Sequence, residues 1–155
     1  MKAVNEVNLS FLSRSVNEGF ARATAACFAA QLDPTLDELG DIKTAVSEAV
    51  TNAIIHGYPD RLGVIYMRMR LFDDSSMEIV IRDKGVGIPD VELARQPLFT
   101  TGNEERSGMG FTIMESFMDN LKVRSAVGKG TVVTMKKRIS RRPAAPNHRS
   151  GASRE

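Results

Sequence analysis

The chain has 155 residues, 42% of them hydrophobic and 26% charged, with a formal net charge of +2 and one cysteine. That length allows one domain with a real core and is short for two. A single cysteine excludes an internal disulfide, and no apolar run approaches the length of a membrane span.

The charge is uneven. The last stretch, SRRPAAPNHRSGASRE from Ser140, holds four Arg, one Glu and two Pro. Without it the body is near neutrality, so the overall pI does not argue for direct binding of nucleic acid. We therefore expect a body over residues 1–139 and a basic, disordered tail over 140–155. The opening MKAVNEVNLS has no apolar signal core, so the expected compartment is the cytoplasm, with no membrane partner.

In chain order, Val7, Leu9 and Phe11 alternate with polar residues and predict a first strand. Ser15 and Glu18 have the spacing of a capping box. Val16, Phe20, Ala23, Cys27 and Ala30 form a helical apolar stripe reaching about Leu32, which makes Cys27 a small buried hydrophobe. Asp33-Pro34 reads as the cap and first turn of a second helix. Leu36, Leu39, Ile42, Val46, Ala49, Val50, Ala53 and Ile54 give that helix its apolar face. Gly40 interrupts it and Gly57 stops it.

GVIYMRMRLF (63–72) and MEIVIRD (77–83) then read as a hairpin around DDSS, with one face buried. DKGVGIPD (83–90) fits neither strand nor helix. After a Pro- and Thr-containing stretch, MGFTIMESFM (109–118) reads as a helix. NLKVRSAV and GTVVTMKKRI read as two closing strands around GKG. The layout predicts an α+β two-layer sandwich: a mixed, mostly antiparallel sheet with helices on one face.

Three stretches carry chemistry. In SEAVTNAIIHGY, Glu48 and Asn52 lie four apart and share one helical face. An amide oxygen suits a hard cation such as Mg²⁺ that also binds substrate phosphates, and a carboxylate one turn away can accept a proton. In DKGVGIPD, Asp83 ends a strand, where its carboxylate can accept a hydrogen bond from an exocyclic amine such as adenine carries. Gly85 and Gly87 would let the backbone approach a flat base. In ERSGMGFTIMESF, Gly108 and Gly110 open a helix whose first N–H groups suit a phosphate, with Arg106 and Ser107 as added donors. No Lys-Ser/Thr follows the glycines, so this is not a P-loop.

ExxxN on a helix, DxGxGI after a strand and GxGF at a helix start resemble, in that order, the N, G1 and G2 boxes of the Bergerat-type ATPases. That superfamily holds gyrase, the ninety-kilodalton heat-shock chaperone, histidine kinases and the mismatch-repair ATPase. The resemblance spans about residues 5–139. SEAVTNAIIHGY, RDKGVGIPD, QPLFTTG and ERSGMGFTIMESFMD are most similar to the serine-kinase anti-sigma factors of sporulation.

The resemblance implies that Asn52 coordinates Mg²⁺ on the ATP phosphates and that Glu48 is the base for a protein serine. It implies that Asp83 reads the adenine amine beside Gly85 and Gly87, with Thr131 assisting at the same edge. Residues 97–110 would form a lid, with Arg106, Ser107, Gly108, Met109 and Gly110 facing the phosphates. A member of this family binds a sigma factor, phosphorylates a serine of an anti-anti-sigma protein and works as a homodimer. Glu18 and Arg22, on the first helix, are the expected partner contacts. The tail is not part of the family pattern, and the lid lacks a Lys between Thr100 and Arg106.

Two rival readings stand beside this one. A detached histidine-kinase domain needs a phosphoacceptor His on a dimerising hairpin, and the chain has only His56, inside the N box, and His148, in the tail. An ATP-gated sigma-binding module without kinase activity would be expected to lose Glu48 first.

Overall fold

A computed structural model of the chain describes residues 1–96 and 109–140. The elements run β1 (Ala3–Leu12), α1 (Val16–Ala29), α2 (Leu36–Asn52), β2 (Val64–Phe72), β3 (Ser76–Asp83), α3 (Val91–Arg95), α4 (Gly110–Phe117), β4 (Asn120–Ala126) and β5 (Gly130–Arg138). The strands form one sheet in the order β1-β2-β3-β5-β4. All four pairings are antiparallel, so the sheet is not mixed as the sequence suggested. The two-layer α+β architecture is the expected one.

Period-two patterning sets the inner face. Ile65, Met67, Met69 and Leu71 of β2 lie beside Met77, Ile79 and Ile81 of β3, and Val133 and Met135 of β5 continue the layer. Against them pack Ile42, Ala45, Val46, Ala49 and Val50 of α2, with Phe111 and Met114 of α4. This core holds α2 and α4 over the β3 and β5 end of the sheet, where the chemistry-bearing residues gather.

The first helix faces the other way round from expectation. Its buried residues are Ala21, Ala25 and Ala29, while Val16 is 73% and Phe20 55% exposed. Cys27 is exposed, not buried. The physical reason is size. Alanines one turn apart make a shallow face that lets α1 lie close to α2, and the larger side chains are left outside.

Two expected caps also move. Ser15 makes no side-chain cap bond, and its expected box partner Glu18 instead accepts from the Ser47 hydroxyl on α2. Asp33 is in the left-handed region (φ 50°), ending a short 3-10 turn at Ala30–Leu32. The box belongs to Thr35 and Glu38, whose side chains each bond the other's backbone N–H at 3.1 and 2.9 Å. Glu38 also accepts from the Ser140 amide at 2.9 Å, so the folded body reaches that residue. Gly40 does not break α2, and α3, capped by Asp90, was not foreseen.

Candidate active site

The site begins with how α2 ends. The helix runs to Asn52 and then widens into a π-helical turn, Ala53–Gly57, closed by the Tyr58 N–H on the Ala53 carbonyl at 3.1 Å. Such turns recur at functional sites because they re-aim the residues around them. Upstream of it, Glu48 and Asn52 are half-buried on one side of α2.

Gly110, the first residue of α4, sits directly over that pair. A Cβ at Gly110 would lie 3.1 and 3.2 Å from the Asn52 amide nitrogen and oxygen, and 3.3 Å from Glu48 Oε2. The carboxylate, the amide and the helix start are therefore one cluster. Met109 caps α4 without a side-chain bond, and the N–H groups of the first turn have no partner within the helix. Arg106, Ser107 and Gly108, with most of the expected lid, lie outside the described residues.

Asp83 closes the other end. It terminates β3 on the inner face, only 6% exposed. Its Oδ1 accepts from the Gly85 N–H at 3.0 Å. Burial pushes the Asp83 carboxyl above the ordinary carboxylate value, and the N–H groups of Gly85 and Thr131 pull it part of the way back. Thr131, 7% exposed, is its cross-strand neighbour on β5.

The helix end and the loop after β3 interlock. A Cβ on Gly57 would meet Asp83 Cγ at 2.8 Å, and one on Gly85 would meet the Gly57 carbonyl oxygen at 1.9 Å. That carbonyl also accepts from the Val86 N–H at 2.9 Å. A Cβ on Gly87 would meet the Ala126 carbonyl oxygen at 2.2 Å. The empty side-chain positions of Gly85 and Gly87 thus face protein backbone, not an open cleft as the sequence argument supposed. Gly130, at φ 106°, brings the β4–β5 turn against the Asp83 carbonyl.

Two residues of the site carried no sequence signal. The Tyr58 hydroxyl donates to the Val64 carbonyl at 2.7 Å and accepts from the Lys84 N–H at 2.7 Å, pinning the backbone next to Asp83. The Ser125 hydroxyl accepts from the Ile88 N–H at 2.7 Å and lies 2.8 Å from Thr131 Oγ1. Tyr58 directly follows the His-Gly stop, whereas Ser125 looks like any strand serine.

The expected partner contacts divide. Arg22 is exposed and pairs with Glu18 at 3.3 Å. Glu18 is half-buried and committed to Ser47, the residue before Glu48, so it is not the open contact that was expected. Among the described residues no helix is long and apolar enough to cross a membrane.

Residues 11–137 match the histidine kinase-like ATPase domain family. The chain is 59% identical over 145 residues to the anti-sigma F factor of Geobacillus kaustophilus, covering 92% of this chain and 99% of that one. It is 62% identical over 135 residues to the anti-sigma F factor of Geobacillus stearothermophilus, covering 86% and 92%. Among solved structures it resembles the RsbU and RsbW domains of a Mycobacterium tuberculosis protein, with TM-score 0.65 and 20% identity over 89% of this chain and 33% of that one. A blue-light activated histidine kinase of Erythrobacter litoralis shares the fold at TM-score 0.56 and 22% identity, over 76% and 40%. With a family model matched over most of its length and close relatives matched nearly end to end, the chain belongs to the anti-sigma F factors of the histidine kinase-like ATPase fold.

Proposed function

We propose that this chain is an anti-sigma factor that holds a sporulation sigma factor away from RNA polymerase in the cytoplasm, and that it phosphorylates a serine of its anti-anti-sigma antagonist at the expense of Mg·ATP. The observation that carries the kinase half is the cluster of Glu48, Asn52 and Gly110 at the start of α4. The relatives named anti-sigma F factor support the other half.

The donor set fits the ligands. A buried acceptor, Asp83, suits the adenine amine. The glycine start of α4 lets the helix end approach Glu48 and Asn52 closely, and the first-turn N–H groups would supply donors and a positive dipole end to phosphate oxygens. Asn52 offers one neutral oxygen to Mg²⁺, an ion that completes its shell with phosphate oxygens and water. When bound, the ion would neutralise charge on the phosphates.

Glu48 would take the proton as the partner's serine oxygen bonds the γ-phosphorus. The bond from that phosphorus to the β–γ bridging oxygen breaks, and ADP leaves. Asp83 and Thr131 would hold the base, with Gly85 and Gly87 shaping the wall beside it. Arg106, Ser107, Gly108, Met109 and Gly110 would hold the phosphates. Such a reaction needs little covalent help and much positioning and charge stabilisation. Arg22 would contact partners, while Glu18 would hold it and α2 in place. The exposed apolar side chains of Val16 and Phe20, one turn apart on α1, support a homodimer.

The deciding experiment is transfer of labelled γ-phosphate to the cognate anti-anti-sigma protein by wild type and Glu48→Gln. Labelling of a partner serine by wild type, reduced at least about 100-fold in the variant with ATP binding kept, is expected. Absent labelling with ATP and sigma factor still bound would leave a binding module without kinase activity. Label on a histidine of the chain itself would make it a histidine kinase.

A further inference from the structure

Ser125, Thr131 and Asp83 lie in one row across β4, β5 and β3, in the registers Ser125↔Thr131 and Thr131↔Asp83. The Ser125 oxygen has three neighbours. The Ile88 N–H donates to it at 2.7 Å, the Gly130 carbonyl oxygen lies 3.0 Å away, and Thr131 Oγ1 lies 2.8 Å away.

Taken as three separate hydrogen bonds, these contacts allow one arrangement of protons. A serine hydroxyl has one proton and two lone pairs. The Gly130 carbonyl can only accept, so it takes the Ser125 proton. One Ser125 lone pair receives the Ile88 N–H. The other receives the Thr131 hydroxyl proton, since two oxygens at 2.8 Å need a proton between them. Thr131 then has no proton left for a ligand and presents only lone pairs beside Asp83, whose ionised carboxylate also presents only lone pairs.

We propose that Ser125 is a positioning residue that fixes Thr131 as a hydrogen-bond acceptor, and that it thereby makes the base cleft select a 6-amino purine over a 6-oxo purine. The inference rests on the reading above that a purine nucleotide occupies the Asp83 cleft. A 6-amino purine offers two N–H donors to two acceptors. A 6-oxo purine offers one donor, at N1, which can satisfy Asp83. Its O6 would face Thr131 lone pair to lone pair, and a site built for a donor rejects such an analogue strongly. Without Ser125, the Thr131 hydroxyl is free to turn and donate to that oxygen.

The test is the ratio of ATP to ITP affinity, measured by calorimetry at one pH with Mg²⁺ present, for wild type, Ser125→Ala, Ser125→Thr, Thr131→Val and Asp83→Asn. The expected result is a fall in the ratio of roughly tenfold or more in Ser125→Ala, with Ser125→Thr near wild type. If Ser125→Ala does not fold, Thr131→Val gives the same readout. Loss of an acceptor costs ATP a bond and relieves ITP, so the ratio falls, whereas loss of a donor would weaken both. Equal weakening of both nucleotides in Ser125→Ala would mean that Ser125 only props the loop, and would overturn the proposal. Wild type binding neither nucleotide would overturn the underlying reading as well. Wild type binding both, insensitive to Asp83→Asn, would move the base elsewhere and defeat this inference alone.

Discussion

At the scale of single residues, Asp83 is a buried carboxyl whose proposed role in nucleotide binding carries a cost in stability. Burial raises its folded carboxyl pKa above the unfolded value. The folded chain therefore holds its proton to higher pH than the unfolded chain does, and stability falls as pH rises between the two values. At pH 7 the charge is a cost that the apo fold carries. Asp83→Asn should raise the apo melting temperature at pH 7, with the gain vanishing in acid below both values. The same change should weaken ATP binding by about 10- to 100-fold, the loss of a charged acceptor. Melting curves across pH, paired with titrations, check both halves. A variant that loses stability at pH 7 would show that the Gly85 bond outweighs the desolvation. Asp83, Glu48 and Asn52 were legible in sequence because their spacing is tied to helix and strand-end geometry. Ser125 and Tyr58 were not, since a lone hydroxyl acquires its role only from strands brought beside it.

At the scale of elements, spacing located the strands and helices well but misjudged what α1 buries. A stripe of large apolar side chains looked like a core face. The alanine row at 21, 25 and 29 won because close approach of two helices favours small contacts. The caps failed for a related reason: Ser15 and Asp33 have cap chemistry, but the chain path decides which oxygen reaches a free N–H. Lys137 is a further case. It stands on the buried face of β5, where a lysine breaks the alternation. Its Nζ donates to the Phe117 carbonyl at 2.9 Å, at the end of α4, and lies 3.4 Å from Asp41 of α2. One cation thus ties three elements that frame the site. Lys137→Met keeps the stem but leaves that carbonyl without its donor. Asp41 remains partly solvated, so the expected loss is about 1–2 kcal/mol in urea unfolding. An unchanged midpoint would mean that water replaces the ammonium at no cost.

At the scale of the whole molecule, the exposed apolar pair on α1 gives the homodimer reading a test. Val16 and Phe20 are exposed one turn apart on α1, and the Phe20 ring meets Phe11 edge-on at 6.3 Å. Phe20→Glu should shift sedimentation from dimer to monomer while leaving the far-ultraviolet spectrum unchanged. A dimer that survives the change would put the interface elsewhere. Charge, too, is arranged only at this scale. The register sends Arg68, Arg70, Arg82, Lys122, Arg124, Lys136 and Arg138 to the outer sheet face, against Glu6 and Glu78. A body that is nearly neutral by composition therefore has one strongly basic face.

The sequence by itself determined the two-layer α+β class, the order of the elements other than α3, and the placing of Glu48 and Asn52 on one helix and of Asp83 at a strand end, because periodicity and local spacing act through neighbours along the chain. Only the tertiary structure decided which face of α1 is buried, that Gly110 sits over Glu48 and Asn52, and that Gly57 and Gly85 give up their side chains to each other's neighbourhood. It alone brought Ser125 to Thr131. These are contacts between residues far apart in the chain, and their geometry follows from packing and strand register, which no local pattern encodes.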